Sequence, residues 1–368
     1  MSGENEGKLN KILIGNRSVG KGEPCFIIGE IGSNHNNDFD TALALIDAAK
    51  QAGCDAVKFQ SYSADGLYSK HTPRSSEMEG RSLPNETPYA LIKRIQMPIE
   101  WHAPLKKHCA KRGILFCSTP FDETFVDILE SVQAPFYKIA SFELTHYPLL
   151  RKVAATGKPV ILATGNSELN EVEDALEVLR CAGCSKVALL HCVSAYPAKQ
   201  NEMNLRCLAT LKEAFHCPVG LSDHTEDNTA AIIAVSLGAC IIEKHMTLDR
   251  KTFGPDHPFA MEPEQMKSLV NSIRLTEAML GDGRKIVQAG EEENHKIGRR
   301  SLVASCDLRP GDVVTDNLIA VKRPGLGLHP KYLELIRGRK ILRPIKADKW
   351  FTWEHFFRKG EAACSLKK

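Results

Sequence analysis

Two histidines stand out by their matching settings. His224 lies in Leu221-Ser-Asp-His-Thr and His245 in Ile242-Glu-Lys-His, each just beyond a short apolar run. If those runs are neighbouring strands, both imidazoles face one point and together bind a divalent ion. Two protein ligands are too few for a structural zinc site, and they leave positions open for water or substrate. Either histidine alone reads as a hydrogen-bonded polar residue; the pairing is what points to a metal. Lys58 and Lys138 form a second group, late in runs that otherwise look buried. A lysine is almost never buried without a partner. These two are snorkelled or ion-paired, or they grip an anionic substrate from two sides, with Gln60, Thr119, Ser141 and Thr164 as neutral donors. A ligand carrying phosphate and carboxylate fits that set. Glu30, Glu143 and Glu243 also follow apolar runs closely. Each is a general acid or base, or the neutralising partner of a lysine.

The elements that must position these groups are short and regular. Eight apolar runs, at 26–31, 56–59, 114–117, 136–140, 160–163, 187–191, 219–221 and 240–243, each end in polar or ionisable residues. A helix-like stretch follows almost every run. The alternation predicts a (β/α)8 TIM barrel, an α/β architecture whose C-terminal strand ends converge on one active site. Asp38 or Asp40 caps a helix with Ala42, Leu45, Ile46 and Ala49 on its apolar face, and Gly53 ends it. Further helices are expected over 170–180 and 263–280. The long polar connection at 61–98 is expected to act as a substrate lid. Cys181-Ala-Gly-Cys184 is either a redox or metal half-site, or a helix end with Gly183 left-handed; no second such motif completes a zinc site.

The predicted domains are a barrel at 1–282, a polar linker at 283–300 and a small β-rich domain at 301–368. Composition sets limits on function. A net charge of +3 on 368 residues, with scattered lysines and arginines, gives no basis for nucleic-acid binding. No stretch of about 18 apolar residues is available to span a membrane, and the polar start at 1–15 has no apolar signal core. Most of the twelve cysteines sit inside apolar runs, as in a reducing cytoplasm.

Taken together, the motifs resemble those of the sialic acid synthase (nonulosonic acid synthase) family. They are Gly29-Glu-Ile-Gly-Ser-Asn-His, Ala56-Val-Lys-Phe-Gln, Ser118-Thr-Pro-Phe, Tyr137-Lys-Ile-Ala-Ser-Phe-Glu, His191-Cys-Val-Ser-Ala-Tyr-Pro, Gly220-Leu-Ser-Asp-His-Thr, Ile242-Glu-Lys-His and Gly254-Pro-Asp-His. The tail, with Lys322-Arg-Pro-Gly-Leu-Gly and Gly338-Arg-Lys, is similar to the antifreeze-like (SAF) domain of those enzymes. The resemblance implies condensation of phosphoenolpyruvate with an N-acyl hexosamine, such as N-acetylmannosamine, to a nine-carbon 2-keto acid and phosphate. It implies Mn2+ or Mg2+ on His224 and His245, and Glu30 at the reacting centre. Lys58, Gln60, Thr119, Lys138, Ser141, Thr164 and Ser222 would surround phosphoenolpyruvate. Glu143, Tyr196, Glu243 and Asp256 would line the sugar side. Arg323 would enter the partner's site in a domain-swapped homodimer.

Several alternatives stay open at this point. Lys138-Ile-Ala-Ser-Phe-Glu and Gly327-Leu-His-Pro-Lys resemble pseudaminic acid synthases and spore-coat polysaccharide relatives, whereas Gly254-Pro-Asp-His resembles the sialic and legionaminic enzymes. A condensing enzyme for another aldose, as in octulosonate and heptulosonate synthesis, is a rival within the class. A non-catalytic carbohydrate-binding or assembly protein is a rival from another class.

Overall fold

The computed structural model describes residues 11–74 and 82–358. The expected domain limits at 1–10 and 359–368, and 75–81 of the expected lid, lie outside these residues. The chain divides into two compact units between Gly281 and Asp282.

The first unit opens with a hairpin, β1 (Lys11–Ile14) and β2 (Arg17–Gly20). The barrel strands follow as β3 (Phe26–Gly32), β4 (Ala56–Ser61), β5 (Leu115–Pro120), β6 (Tyr137–Ile139), β7 (Val160–Ala163), β8 (Val187–Cys192), β9 (Val219–Asp223) and β10 (Ile241–His245). Their helices are α1 (Phe39–Ala52), α2 (Ala64–Leu67), α3 (Pro88–Ile95), α4 (His102–Arg112), α5 (Glu123–Ser131), α6 (Tyr147–Ala154), α7 (Leu169–Cys181), α8 (Cys207–Phe215), α9 (Thr229–Ser236) and α10 (Pro263–Leu280). The eight strands run parallel in the order β5-β4-β3-β10-β9-β8-β7-β6. β5 and β6, the outermost of that order, lie side by side, so the sheet is a nearly closed barrel. It is the TIM-type architecture expected from the eight runs.

Local signals explain the element ends. Asp38 caps α1 by accepting from the Thr41 amide, and Gly53 closes the helix at φ 93°. Gly183 is left-handed at φ 94°, just past α7, so Cys181 and Cys184 flank a helix end. Both are free thiols, as are the other cysteines among the described residues. No helix among these residues is long and apolar enough to cross a membrane.

Two cores result from the two-residue period of the strands. Outward side chains such as Ile27, Val57, Leu189 and Ile242 pack on the helices. Inward ones such as Ile28, Ala56, Phe136, Leu190 and Ile241 fill the barrel. Ile12, Ile14 and Val19 of the hairpin join the inner cluster and plug the end where the strands begin. The reading of 1–15 as simply polar overlooked this hairpin. Its strands hold four residues each, which is too short for a periodic pattern to stand out. The Gly15-Asn16 turn between paired Ile14 and Arg17 was the available signal.

The second unit holds α11 (Glu292–Gly298), β11 (Ser301–Ala304), β12 (Ile319–Lys322) and α12 (Leu333–Ile336). β11 and β12 pair antiparallel, and Val303, Leu308 and Val313 bridge Trp350, Ile345 and Lys340. Leu302, Val314, Ile336, Ile341 and Phe351 form its core. The segment at 312–315 contributes the isolated Val313 bridge without a ladder. The polar stretch at 283–300 is helical over Glu292–Gly298, because its acidic residues gather in the first turn and its basic ones in the last, each favourable to the helix dipole.

The hairpin plug generates a test. Ile14 is fully buried. Ile14→Ala should cost about 2–5 kcal/mol in denaturant unfolding, while chemistry at the opposite end of the barrel continues in the folded protein.

Candidate active site

The inward parity that builds the inner core also delivers the ionisable groups. Two residues beyond Ile28, Ala56, Cys117, Phe136 and Ile241 come Glu30, Lys58, Thr119, Lys138 and Glu243. Ser222 on β9, His224 just beyond that strand, and His245 on β10 continue the same alternation. These residues are all buried. They meet at the C-terminal ends of the strands, where barrel enzymes carry their active sites.

Four charges form a continuous chain across the barrel floor. The Glu30 carboxylate lies 2.9 Å from Lys58 Nζ. Lys58 lies 3.8 Å from Glu243, and Lys138 lies 3.5 Å from the same Glu243 oxygen. Gln60 Nε2 donates to Glu30 at 2.8 Å, Ser222 Oγ donates to Glu243 at 3.1 Å, and Lys58 donates to Thr119 Oγ1 at 3.3 Å. Burial would discharge Lys58, but Glu243 and Glu30 outweigh it and keep the ammonium charged. The two carboxylates part company. Burial pushes Glu30 up to about 7, with Lys58 only partly opposing it. Burial acts on Glu243 too, yet Lys138 and Lys58 together hold it below the ordinary value.

Beside this chain stand the two histidines. Their ring centroids are 5.3 Å apart. The Tyr196 ring packs 4.2 Å from His224, and Phe259 packs 5.0 Å from His245. His224 Nδ1 donates to the Val193 carbonyl at 2.9 Å. In the neutral ring that bond places the proton on Nδ1, so Nε2 is the nitrogen left to bind a metal. Asp256 Oδ2 approaches His245 Nδ1 at 3.7 Å. Among the described residues, no group of three or more His, Cys, Asp or Glu side chains forms a ready metal cage. The two-imidazole donor set fits an open site.

A cavity of about 250 Å3 gathers Glu30, Lys58, Gln60, Lys138, Ser141, Tyr196, Ser222, His224, Glu243, His245 and Asp256. Gly32, at φ 53°, gives this corner its room: a Cβ there would come within 3.3 Å of Gln60, Glu30 and Asp256 side-chain atoms. The other sequence-predicted residues fall elsewhere. Thr119 supports Lys58 from beneath. Glu143 is buried beside the cavity, with one carboxylate oxygen lacking a hydrogen-bond partner. Thr164 has outward parity: Ala163 takes the inward place, and the Thr164 hydroxyl donates to the Leu190 carbonyl at 3.0 Å and lines a separate cavity of about 230 Å3. Arg323 is exposed in the second unit, directly after β12.

Further residues line the same cavity. Cys192 and Ala163 line it, and counting by twos from Leu190 and Ile161 would have found both. Leu67, Tyr68, Leu91, Ile92 and Ile95 form an apolar wall from the 61–98 connection, joined by Phe121 and Phe142. Leu91 and Ile95, one helical turn apart on α3, pack with Tyr62 in a small cluster of their own. Asn85 of that connection is exposed and is not part of the wall.

Known proteins carry the same arrangement of sequence. The profile of the NeuB family matches residues 45–285. The chain belongs to the NeuB family. A SAF-domain profile matches residues 299–356, so the NeuB-family barrel is followed by a SAF domain. The spore coat polysaccharide biosynthesis protein of Bacillus subtilis is 38% identical over 365 residues, covering 94% of this chain and 97% of that protein. The N,N'-diacetyllegionaminic acid synthase of Campylobacter jejuni is 38% identical over 324 residues, covering 88% of this chain and 97% of that one. The crystal structure of N-acetylneuraminic acid (sialic acid) synthetase from Leptospira borgpetersenii superposes with a TM-score of 0.70 at 34% identity. It covers 77% of this NeuB-family chain and 94% of that chain.

Glu143 makes the site's electrostatics measurable. Burial raises it to about 7, against the pull of Lys138. The folded protein therefore keeps this proton through a window in which the unfolded chain, near 4.5, has released it. Its contribution to stability falls as pH rises from about 4.5 to about 7. Glu143→Gln should remove that slope. Denaturant titrations at both ends of the window should show wild type losing up to about 3 kcal/mol relative to the variant.

Proposed function

We propose that the protein condenses phosphoenolpyruvate with an N-acyl hexosamine of the N-acetylmannosamine type. The products are a nine-carbon 2-keto acid of the sialic acid class and phosphate. The observation that carries this reading is the meeting, in one cavity, of the Glu30–Lys58–Glu243–Lys138 chain with the His224–His245 pair. The names of the Campylobacter and Leptospira relatives support the same class of product.

In this reading Lys58 and Lys138 hold the phosphate and carboxylate of phosphoenolpyruvate, and Gln60, Ser141 and Ser222 add neutral hydrogen bonds. The floor is neutral before substrate arrives, since two ammonium groups face two carboxylates. Glu30, already raised to about 7, gives up its negative charge readily when an anion enters. Asp256, Tyr196 and the nearby Glu143 meet the polar face of the sugar, and the Leu91–Ile95 wall meets its apolar face. C3 of phosphoenolpyruvate bonds to the aldehyde carbon of the open-chain sugar while water adds to C2. The C2–O bond to phosphate then breaks, and C2 keeps the oxygen of water as the new ketone. One proton of water ends on the new hydroxyl and the other on phosphate, with Glu30 as carrier.

His224 and His245 would hold Mn2+ or Mg2+. Bound there, the ion supplies Lewis acidity toward the aldehyde oxygen. Arg323 would reach the acyl group in the partner's cavity, which makes the working unit a domain-swapped homodimer. Free thiols throughout the described residues fit a reducing compartment, and we assign the protein to the cytoplasm.

The deciding experiment incubates the protein with phosphoenolpyruvate, Mn2+ and a panel of N-acyl hexosamines that includes diacylated deoxy sugars. Phosphate release and product mass are read for each. One acceptor should give phosphate and a product heavier than that acceptor by the mass of pyruvic acid. Release only with an unacylated aldose points to octulosonate-type chemistry, and no release with any sugar favours a binding or assembly protein. His224→Ala and His245→Ala should lose bound Mn2+ and reduce turnover roughly a hundredfold or more. Arg323→Ala should raise the acceptor KM by about tenfold or more, while the KM for phosphoenolpyruvate stays near wild type.

A further inference from the structure

One buried ion pair takes no part in the chemistry above, yet it adjoins both histidines. Asp223, the last residue of β9, immediately precedes His224, and Lys244 precedes His245 on β10. The two are register partners on adjacent strands. Their parity is outward, so the pair sits behind the sheet while the imidazoles face the cavity. Lys244 Nζ lies 2.7 Å from Asp223 Oδ2, and both residues are 1% exposed. Lys244 also donates to the Thr225 carbonyl and, at 3.1 Å, to the Asp227 carbonyl. The other Asp223 oxygen accepts from the Thr225 amide at 2.9 Å and the Thr225 hydroxyl at 2.8 Å. Both ions are thus saturated with partners, and the turn after His224 is tied to the strand that carries His245.

Stability alone does not account for this pair. Burying two charges costs desolvation that a well-packed apolar pair avoids. The neighbouring outward positions, Leu221 and Ile242, are apolar. An ion pair differs from them in being directional: it fixes one angle and one register between two strand ends. We propose that Asp223 and Lys244 are positioning residues that set the spacing of the His224 and His245 imidazoles for a divalent cation. The inference rests on the metal reading of those histidines.

Two variants test it. Asp223→Leu combined with Lys244→Met removes both charges and leaves neither unpaired. Lys244→Arg keeps the charge, but its planar fork cannot reproduce the same contacts. Mn2+ affinity is measured by electron paramagnetic resonance on metal-depleted protein, alongside thermal unfolding and phosphoenolpyruvate binding. Folded variants should bind Mn2+ about 10- to 100-fold more weakly. Their phosphoenolpyruvate affinity, which depends on Lys58 and Lys138, should stay near wild type. Wild-type Mn2+ affinity in a folded variant overturns the inference, and so does an equal loss of both ligands, since it marks a general loosening. If the double variant does not fold, Lys244→Arg carries the comparison. Wild-type protein that binds no Mn2+ overturns the metal reading itself, and the positioning role with it.

Discussion

No charge on the barrel floor is buried alone, and that constraint organises the rest of the site. Glu243 sits between two ammonium groups, and Glu30 shares one of them. A single unpartnered ion at this depth would neutralise itself or unfold its surroundings. The alternating chain permits four ions to stay together in a place shielded from water. The same arrangement creates a difference between two chemically identical groups. Glu243, with two cationic neighbours, is held ionised, while Glu30, with one, sits near neutrality. One carboxylate serves as a fixed charge, and the other is able to exchange a proton.

The strand period ties this electrostatics to the fold. Most inward runs begin with apolar side chains on the side of the hairpin plug and end with polar or ionisable ones that open on the cavity, while β7 ends inward on Ala163. A one-residue slip in β3, β4, β6 or β10 would turn its charged end toward the helices. The apolar lower half of the barrel therefore holds the upper half in register. The Asp223–Lys244 pair lies on the opposite face of β9 and β10, where it adds a directional link to the apolar packing around it.

Much of this was legible in the amino-acid sequence. The eight apolar runs became the eight barrel strands, and Asp38, Gly53 and Gly183 mark helix boundaries where the chain reads them. Eleven of the predicted site residues line one cavity. The failures are also physical. Thr164 stands near a strand end, but side-chain direction alternates at each step and its neighbour Ala163 holds the inward place. The wall at 64–95 was hidden because its apolar residues come from short helices in a stretch whose overall composition is polar. The β1–β2 hairpin was too brief for any period to emerge. In the 283–300 stretch, polar composition reads as a linker, while the charge order of its acidic and basic residues favours a helix.

The wall and the floor of the cavity come from separate parts of the chain. Leu67, Leu91, Ile92 and Ile95 cluster with Tyr62 and Phe121, apart from the two principal cores of the barrel. Substitutions along this single connection alter the shape and greasiness offered to an incoming molecule without disturbing the ionic balance beneath. A lineage with this design can diversify in what it accepts while its reaction chemistry is inherited intact.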